Sequence, residues 1–173
     1  MSYLKDFIIP FEGLNIGNHE FGFDVNQLFF EEIAYSEIKN GQLRVELDLE
    51  KQETMLILSF SIEGSVEVTC DRCTDDFDFP LKGNQQLLVQ FGDEFVEQDG
   101  EMITIPRSDS EIDLAPYIYE YIFLMLPIQR IHPDDDQGNS TCNTEMLEKL
   151  SELSFTETKE DPRWDALKKL KKN

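Results

Sequence analysis

Basic residues are scarce in this chain. Lys and Arg total 15 against 36 Asp and Glu, so the formal net charge is −21. That charge repels phosphate backbones at long range and argues against broad-surface binding of nucleic acid. A basic protein partner, a metal ion or simple solubility fits it better. Histidine is scarcer, with only His19 and His132, so hydrolytic catalysis has thin support. G-x-S-x-G, H-E-x-x-H, P-loop and G-x-G-x-x-G patterns are all missing. Long apolar runs are missing too: the longest, Tyr121 to Pro127, is far too short to span a membrane. The opening MSYLKDFIIPFEG has no extended apolar stretch with a cleavage site, which leads to the expectation of a cytoplasmic protein without a signal peptide. Cysteine is limited to Cys70, Cys73 and Cys142. An odd count without a signal peptide argues against a disulfide framework.

Apolar material is sufficient for a core. Hydrophobic residues make up 40% of the 173, with 13 Phe among them, which argues against wholesale disorder. The length suits one domain with a helical appendage. The division expected is a β-rich core over 1–142 and a helical segment over 143–173.

The front half patterns as strands. Residues 3–9 and 19–25 alternate apolar and polar. QLFFEEIAY (27–35) predicts a short helix capped by Asn26. Strands are predicted over 43–50, 54–62, 65–70 and 85–91, with turns at Asn40-Gly41 and Glu63-Gly64. Residues 93–101 are acidic and predicted as loop, followed by a short strand over 102–105. Then the period changes. Asp113 precedes a helix over 114–126, with Pro116 in its first turn. Leu114, Ile118, Tyr121, Ile122 and Met125 share one face, and the helix is apolar enough to lie against the sheet. Pro127 ends it. A long loop over 128–142 leads to a helix over 143–153, capped by Asn143 or Thr144. Asp161 and Pro162 start a last helix whose lysines complement its dipole. The fold class expected is α+β, an antiparallel sheet packed against a buried helix with C-terminal helices outside. Whether the sheet curls into a barrel is left open.

The sharpest local feature is C-x-x-C at Cys70 and Cys73. Zinc takes four soft or borderline ligands in a tetrahedron, and two cysteines three apart can grip one ion. His132 and Cys142 are the candidates to complete the set, although ten positions separate them, more than in a zinc-finger pair. Two other readings stand beside this one. The cysteines are reduced packing residues, or they form a redox pair. A catalytic thiolate wants positive surroundings, whereas Asp71, Asp75, Asp76 and Asp78 crowd the motif and only Arg72 opposes them.

Other features favour structural readings. Asp134, Asp135 and Asp136 lack the spacing of a calcium loop and are expected to be solvated. His19 is expected at the surface. The last 13 residues, DPRWDALKKLKKN, hold two acids and five bases, which leaves −24 on the 160 residues before them. Lys168, Lys169, Lys171 and Lys172 are therefore the candidate RNA contacts. The alternative is a docked helix with Trp164, Leu167 and Leu170 packed down and the lysines in water.

Four pieces in one order resemble the YceD family, the bacterial large ribosomal RNA subunit accumulation proteins. They are GSVEVTCDRCTDDFDFPL (64–81), EIDLAPYIYEYIFLMLPI (111–128), a loop with His or Cys soon after the Pro, and DPRWDALKKL (161–170). The segments over 8–25 and 129–142 resemble the Bacteroidetes branch. By position, Cys70, Cys73, Asp113, Pro127, Asp161, Pro162 and Arg163 match the family pattern. Many members carry further cysteines after the Leu-Pro segment. Here His132 and Cys142 stand where that cluster begins and the rest is absent. The resemblance implies a role in large-subunit ribosomal RNA accumulation without an established catalytic activity. Combined with the charge, it leads to the expectation of a non-enzymatic factor that binds a basic ribosomal protein or large-subunit precursor. The alternatives are a direct RNA-binding cofactor using the basic C-terminal helix, and a small redox or metal-dependent protein using Cys70 and Cys73.

Overall fold

The computed structural model describes residues 2–154. Its centre is a six-stranded sheet built from β2 (Gly17–Val25), β3 (Gly41–Lys51), β4 (Met55–Thr69), β5 (Asp76–Gly92), β6 (Val96–Asp99) and β7 (Met102–Pro106). The strand order is β2-β3-β4-β5-β7-β6. All neighbours are antiparallel except β5 and β7, which run parallel. A separate two-stranded ribbon pairs β1 (Ile8–Ile9) with β8 (Ile112–Asp113). The sheet does not close into a barrel, since β2 and β6 remain as its edges.

Period-2 patterning decides which face is covered. On β3, Leu43, Val45, Leu47 and Leu49 are buried while Gln42, Arg44, Glu46, Asp48 and Glu50 face out. Leu56, Leu58, Phe60 and Ile62 of β4 continue the buried face. Helix α2 (Ala115–Leu124) lies on it through Ala115, Ile118, Tyr121 and Ile122, with the Tyr121 ring 5.4 Å from that of Phe60. Leu114 occupies the N-cap position, and Asp113 just before it accepts the Ala115 N–H at 3.0 Å. Helix α1 (Gln27–Glu32) adds Phe29 and Phe30, and Asn26 caps it by accepting the Leu28 N–H.

Several strand boundaries differ from expectation. Residues 3–9 are not one strand: Tyr3–Phe7 forms a 3-10 turn before the two residues of β1. The Glu32 carboxylate accepts the N–H groups of Tyr3 and Leu4, so these donors need no strand partner. The strands expected over 54–62 and 65–70 are one strand, β4, running unbroken over Met55–Thr69. Gly64 does not turn the chain; it stays in register opposite Leu43 with φ 153. A Cβ there would stand 2.2 Å from the Gln42 carbonyl oxygen, so only glycine lets the two strands run on. β5 is likewise longer than its predicted core over 85–91, and the acidic stretch after it contains β6 rather than loop alone. Asn40-Gly41 leads directly into β3. The third helix, α3 (Thr144–Ser154), agrees with the period and with Asn143 as its cap. The expected helix beginning at Asp161 lies outside the described residues.

Candidate metal centre

The β4–β5 hairpin ends in a knuckle that carries Cys70 and Cys73. Cys70 donates its N–H to the Asp75 carbonyl, and its own carbonyl accepts the Thr74 N–H, both at 2.9 Å. Thr74 has φ 65, an uncommon conformation for a β-branched residue. Its hydroxyl holds it there by donating to the Cys73 carbonyl at 2.6 Å. Both sulphurs turn inward and are buried.

The other two ligands arrive on the strap that follows α2. The Asp71 N–H donates to the Arg130 carbonyl, and the Arg130 N–H donates back to the Asp71 carboxylate, each at 2.7 Å. This fixes the strap two residues before His132. Beyond it the chain makes a small hairpin. Asp134 bridges to Ser140, and the Asp135 carboxylate accepts the N–H groups of Gln137 and Asn139. Those bonds from Asn139, Gln137 and Gly138 hold the Asp135 carboxyl below the usual range. The Thr141 hydroxyl closes the hairpin by donating to the Pro133 carbonyl. Ten positions in sequence therefore become neighbours in space, which answers the objection to their wide spacing. Asp135 organises the loop, and the acidic run has a structural job.

The four ligand atoms of Cys70, Cys73, His132 and Cys142 lie within 4.8 Å of one another. Cys70 and Cys142 sulphurs are 3.8 Å apart. The Nδ1 atom of His132 is 3.4 Å from the Cys73 sulphur and 3.8 Å from that of Cys142. A tetrahedral zinc with bonds of about 2.3 Å to sulphur and about 2.0 Å to nitrogen has edges of about 3.5 to 3.8 Å. The donor set and these separations fit zinc. Four protein ligands leave no open position for water, which is the pattern of a structural rather than a catalytic ion.

Electrostatics prepare one sulphur in particular. Burial opposes ionisation of Cys70, but N–H donors from Cys73, His132 and Arg72 outweigh it and bring the thiol down to about 5. For Cys142 the Ser140 hydroxyl pulls downward, yet burial and the neighbouring Cys70 and Cys73 push it up. Three of the four aspartates that crowd the motif in sequence are engaged elsewhere: Asp71 with Arg130, Asp75 with Asn143, and Asp76 with Thr69. The knuckle joins two strands and no helix begins at it, so it lacks the helix N-terminus of a thioredoxin-type pair.

Sequence reasoning named Asn143 only as a helix cap and missed Phe77, Met146 and Leu147 as neighbours of the cluster. Phe77 stacks on His132 with ring centroids 4.4 Å apart. Met146 and Leu147 of α3 cover the cysteines. Asn143 does two things at once, capping α3 at Glu145 and donating to the Asp75 carboxylate. The alternation of Phe77 and Phe79 along β5 was the available signal for Phe77. Nothing local signals the contact of Met146 and Leu147 with the cysteines, or the bond from Asn143 to Asp75.

The remaining predicted residues are scattered. Asp113 accepts the first N–H of α2, and Pro127 follows the end of that helix, before a fully exposed Ile128. His19 is half-buried rather than free at the surface, with Nε2 2.8 Å from the Asn15 carbonyl. Asp161, Pro162, Arg163, Lys168, Lys169, Lys171 and Lys172 lie outside the described residues.

A second surface is set by strand register. On the open face of the sheet, Glu20, Asp48, Ser59 and Gln86 form one cross-strand row, and Gly22, Glu46, Ser61 and Asn84 the next. In the following row Arg44 pairs with Asp24 and Lys82 with Glu63, at 2.7 and 2.9 Å. Glu20, Glu46 and Asp48 have no salt bridge to a base among the described residues. Asp48 borders three adjoining hollows on this face, floored by Ser59 and Ser61.

A family model described as "Large ribosomal RNA subunit accumulation protein YceD" matches residues 58–171, from within β4 through all four cluster residues. Comparison with curated proteins and with solved structures gave no match.

Proposed function

The chain belongs to the YceD family of large ribosomal RNA subunit accumulation proteins, and on that premise we propose that it is a non-enzymatic assembly factor whose acidic sheet face receives a basic ribosomal protein. The observation that carries this reading is the pair of rows holding Glu20, Asp48 and Glu46 without basic partners among the described residues. Like charges directly opposite, as Glu20 and Asp48 are, destabilise a sheet. Their cost falls when a cationic segment lies across them. An acidic field also speeds encounter with a basic partner and shields that partner from other contacts until it is placed.

In this reading zinc is architectural. Bound by Cys70, Cys73, His132 and Cys142, it would supply a four-way cross-link between the β4–β5 knuckle and the strap. The residues around it do the rest: Asp71 and Asn143 set the strap, and Met146 and Leu147 keep water away. No helix among the described residues is long and apolar enough to cross a membrane.

The test is affinity capture of the tagged chain from lysate, with and without ribonuclease, at low and moderate salt. Large-subunit proteins retained after ribonuclease and lost as salt screens the charges would support the proposal. Recovery only with intact RNA would favour the second reading, direct RNA contact by Lys168, Lys169, Lys171 and Lys172, which the charge of the C-terminal segment motivates. Charge reversal at those four lysines would then abolish capture.

A further inference from the structure

We infer that the Cys70, Cys73, His132 and Cys142 cluster is also a thiol switch, in which a hydroperoxide joins Cys70 to Cys142 and expels the metal. The inference rests on the cluster's geometry and stands apart from the ribosomal role.

The two sulphurs already touch at 3.8 Å, across 72 positions of sequence. A disulfide requires about 2.05 Å, so they must approach by about 1.8 Å. The two sides differ in how far they can move. Cys70 is pinned through both its N–H and its carbonyl, to Asp75 and Thr74. Cys142 is tied through its N–H to the Ser140 hydroxyl at 3.3 Å, on a loop. Cys142 is the side that closes the gap. Cys73 is a poorer partner, since its sulphur faces His132 at 3.4 Å and its main chain is locked into the strained knuckle by Thr74.

The chemistry balances with hydrogen peroxide as oxidant. The Cys70 sulphur attacks one peroxide oxygen; the O–O bond breaks, an S–OH forms and hydroxide leaves. The Cys142 thiol gives its proton to that hydroxide, making water. Its sulphur then attacks Cys70, the S–O bond breaks and a second water leaves with the remaining proton. Two thiols lose two electrons and two protons, and the peroxide becomes two waters. In the zinc-bound form the sulphurs are thiolates and the protons come from solvent. Cys73 and His132 alone remain as ligands, half of what a structural zinc needs, so the ion departs. The strap stays attached, because the new bond spans the same two elements that the metal joined.

The full chain, loaded with zinc, is treated with hydrogen peroxide in molar excess. Released zinc is measured with a colorimetric chelator, and disulfides are mapped by peptide mass spectrometry. The expected result is zinc release in step with a cross-linked pair of peptides joining Cys70 and Cys142, both reversed by dithiothreitol and re-addition of zinc. A Cys70–Cys73 link, sulfinic acid without a disulfide, or zinc retained while thiols oxidise would overturn it. Cys73→Ser is expected to form the same link as the parent chain, and Cys142→Ser to form none. A chain that takes up no zinc would overturn the metal-release half, and disulfide mapping on the metal-free protein would then confirm or overturn the Cys70–Cys142 pairing.

Discussion

Asp71 and Arg130 hold each other twice: the N–H of each donates to an oxygen of the other at 2.7 Å. One residue lies between the paired cysteines and the other on the strap that brings His132. The pair therefore sets the distance between the two halves of the candidate metal site before any ion arrives.

Asp71→Ala removes the carboxylate acceptor and leaves the Asp71 N–H bond in place. Loss of an outer partner of this kind commonly weakens metal binding by about 10- to 100-fold. A competition titration against a zinc chelator is expected to show that drop, with the secondary structure by circular dichroism unchanged.

Removing zinc is expected to loosen the strap and α3 while sparing the sheet. Helix α3 has no buried residue, and its half-buried Met146 and Leu147 rest on the cysteines. Hydrogen exchange with and without chelator is the measurement. Faster exchange over 128–154, with β3 and β4 unchanged, is the predicted pattern.

Metal-free stability is expected to depend on pH through the cysteines. Cys70 falls from its ordinary 9.0 to about 5 in the folded chain. Between those values the unfolded state binds the extra proton, so stability rises with pH from about 5 to about 9 and is lost as pH falls through 5. Cys142, raised by its neighbours, acts oppositely above its ordinary 9.0. Denaturant midpoints of the metal-free chain across this range check the sign, and Cys70→Ser is expected to flatten the rise.

Gly64→Ala tests the long strand. The added Cβ meets the Gln42 oxygen and the Leu43 Cα, and φ 153 is unfavourable for alanine. A loss of at least about 2 kcal/mol is expected in urea unfolding.

Glu20→Gln with Asp48→Asn separates stability from binding. Relief of like-charge opposition is expected to stabilise the sheet by up to about 1 kcal/mol. Capture of a basic partner is expected to weaken. A double variant that is less stable and binds as before would count against the acidic face.

Much of this arrangement was legible from local pattern. The alternation in β3 fixed its buried face, and the Asn26 and Asn143 caps marked their helices. The four cluster residues, picked out by their ligand chemistry despite the wide spacing of His132 and Cys142, do lie together. What stayed hidden depended on partners far along the chain. Tyr3–Phe7 alternates like a strand, but Glu32 supplies its bonds. Glu63-Gly64 has the composition of a turn, yet close approach to Gln42 and Leu43 demands glycine inside a strand. The parallel placement of β7 beside β5 has no local signal at all.

The distance between Cys70 and Cys142 along the chain has a kinetic consequence. The β2 to β5 meander forms from neighbours in sequence, and such contacts close quickly. The fourth zinc ligand cannot arrive until α2 has docked and the strap has crossed back over the knuckle. All four candidate ligands thus come together only after that long-range closure. A chain in which Cys70 and Cys142 have met has, by that fact, brought its β4–β5 knuckle and the strap after α2 together.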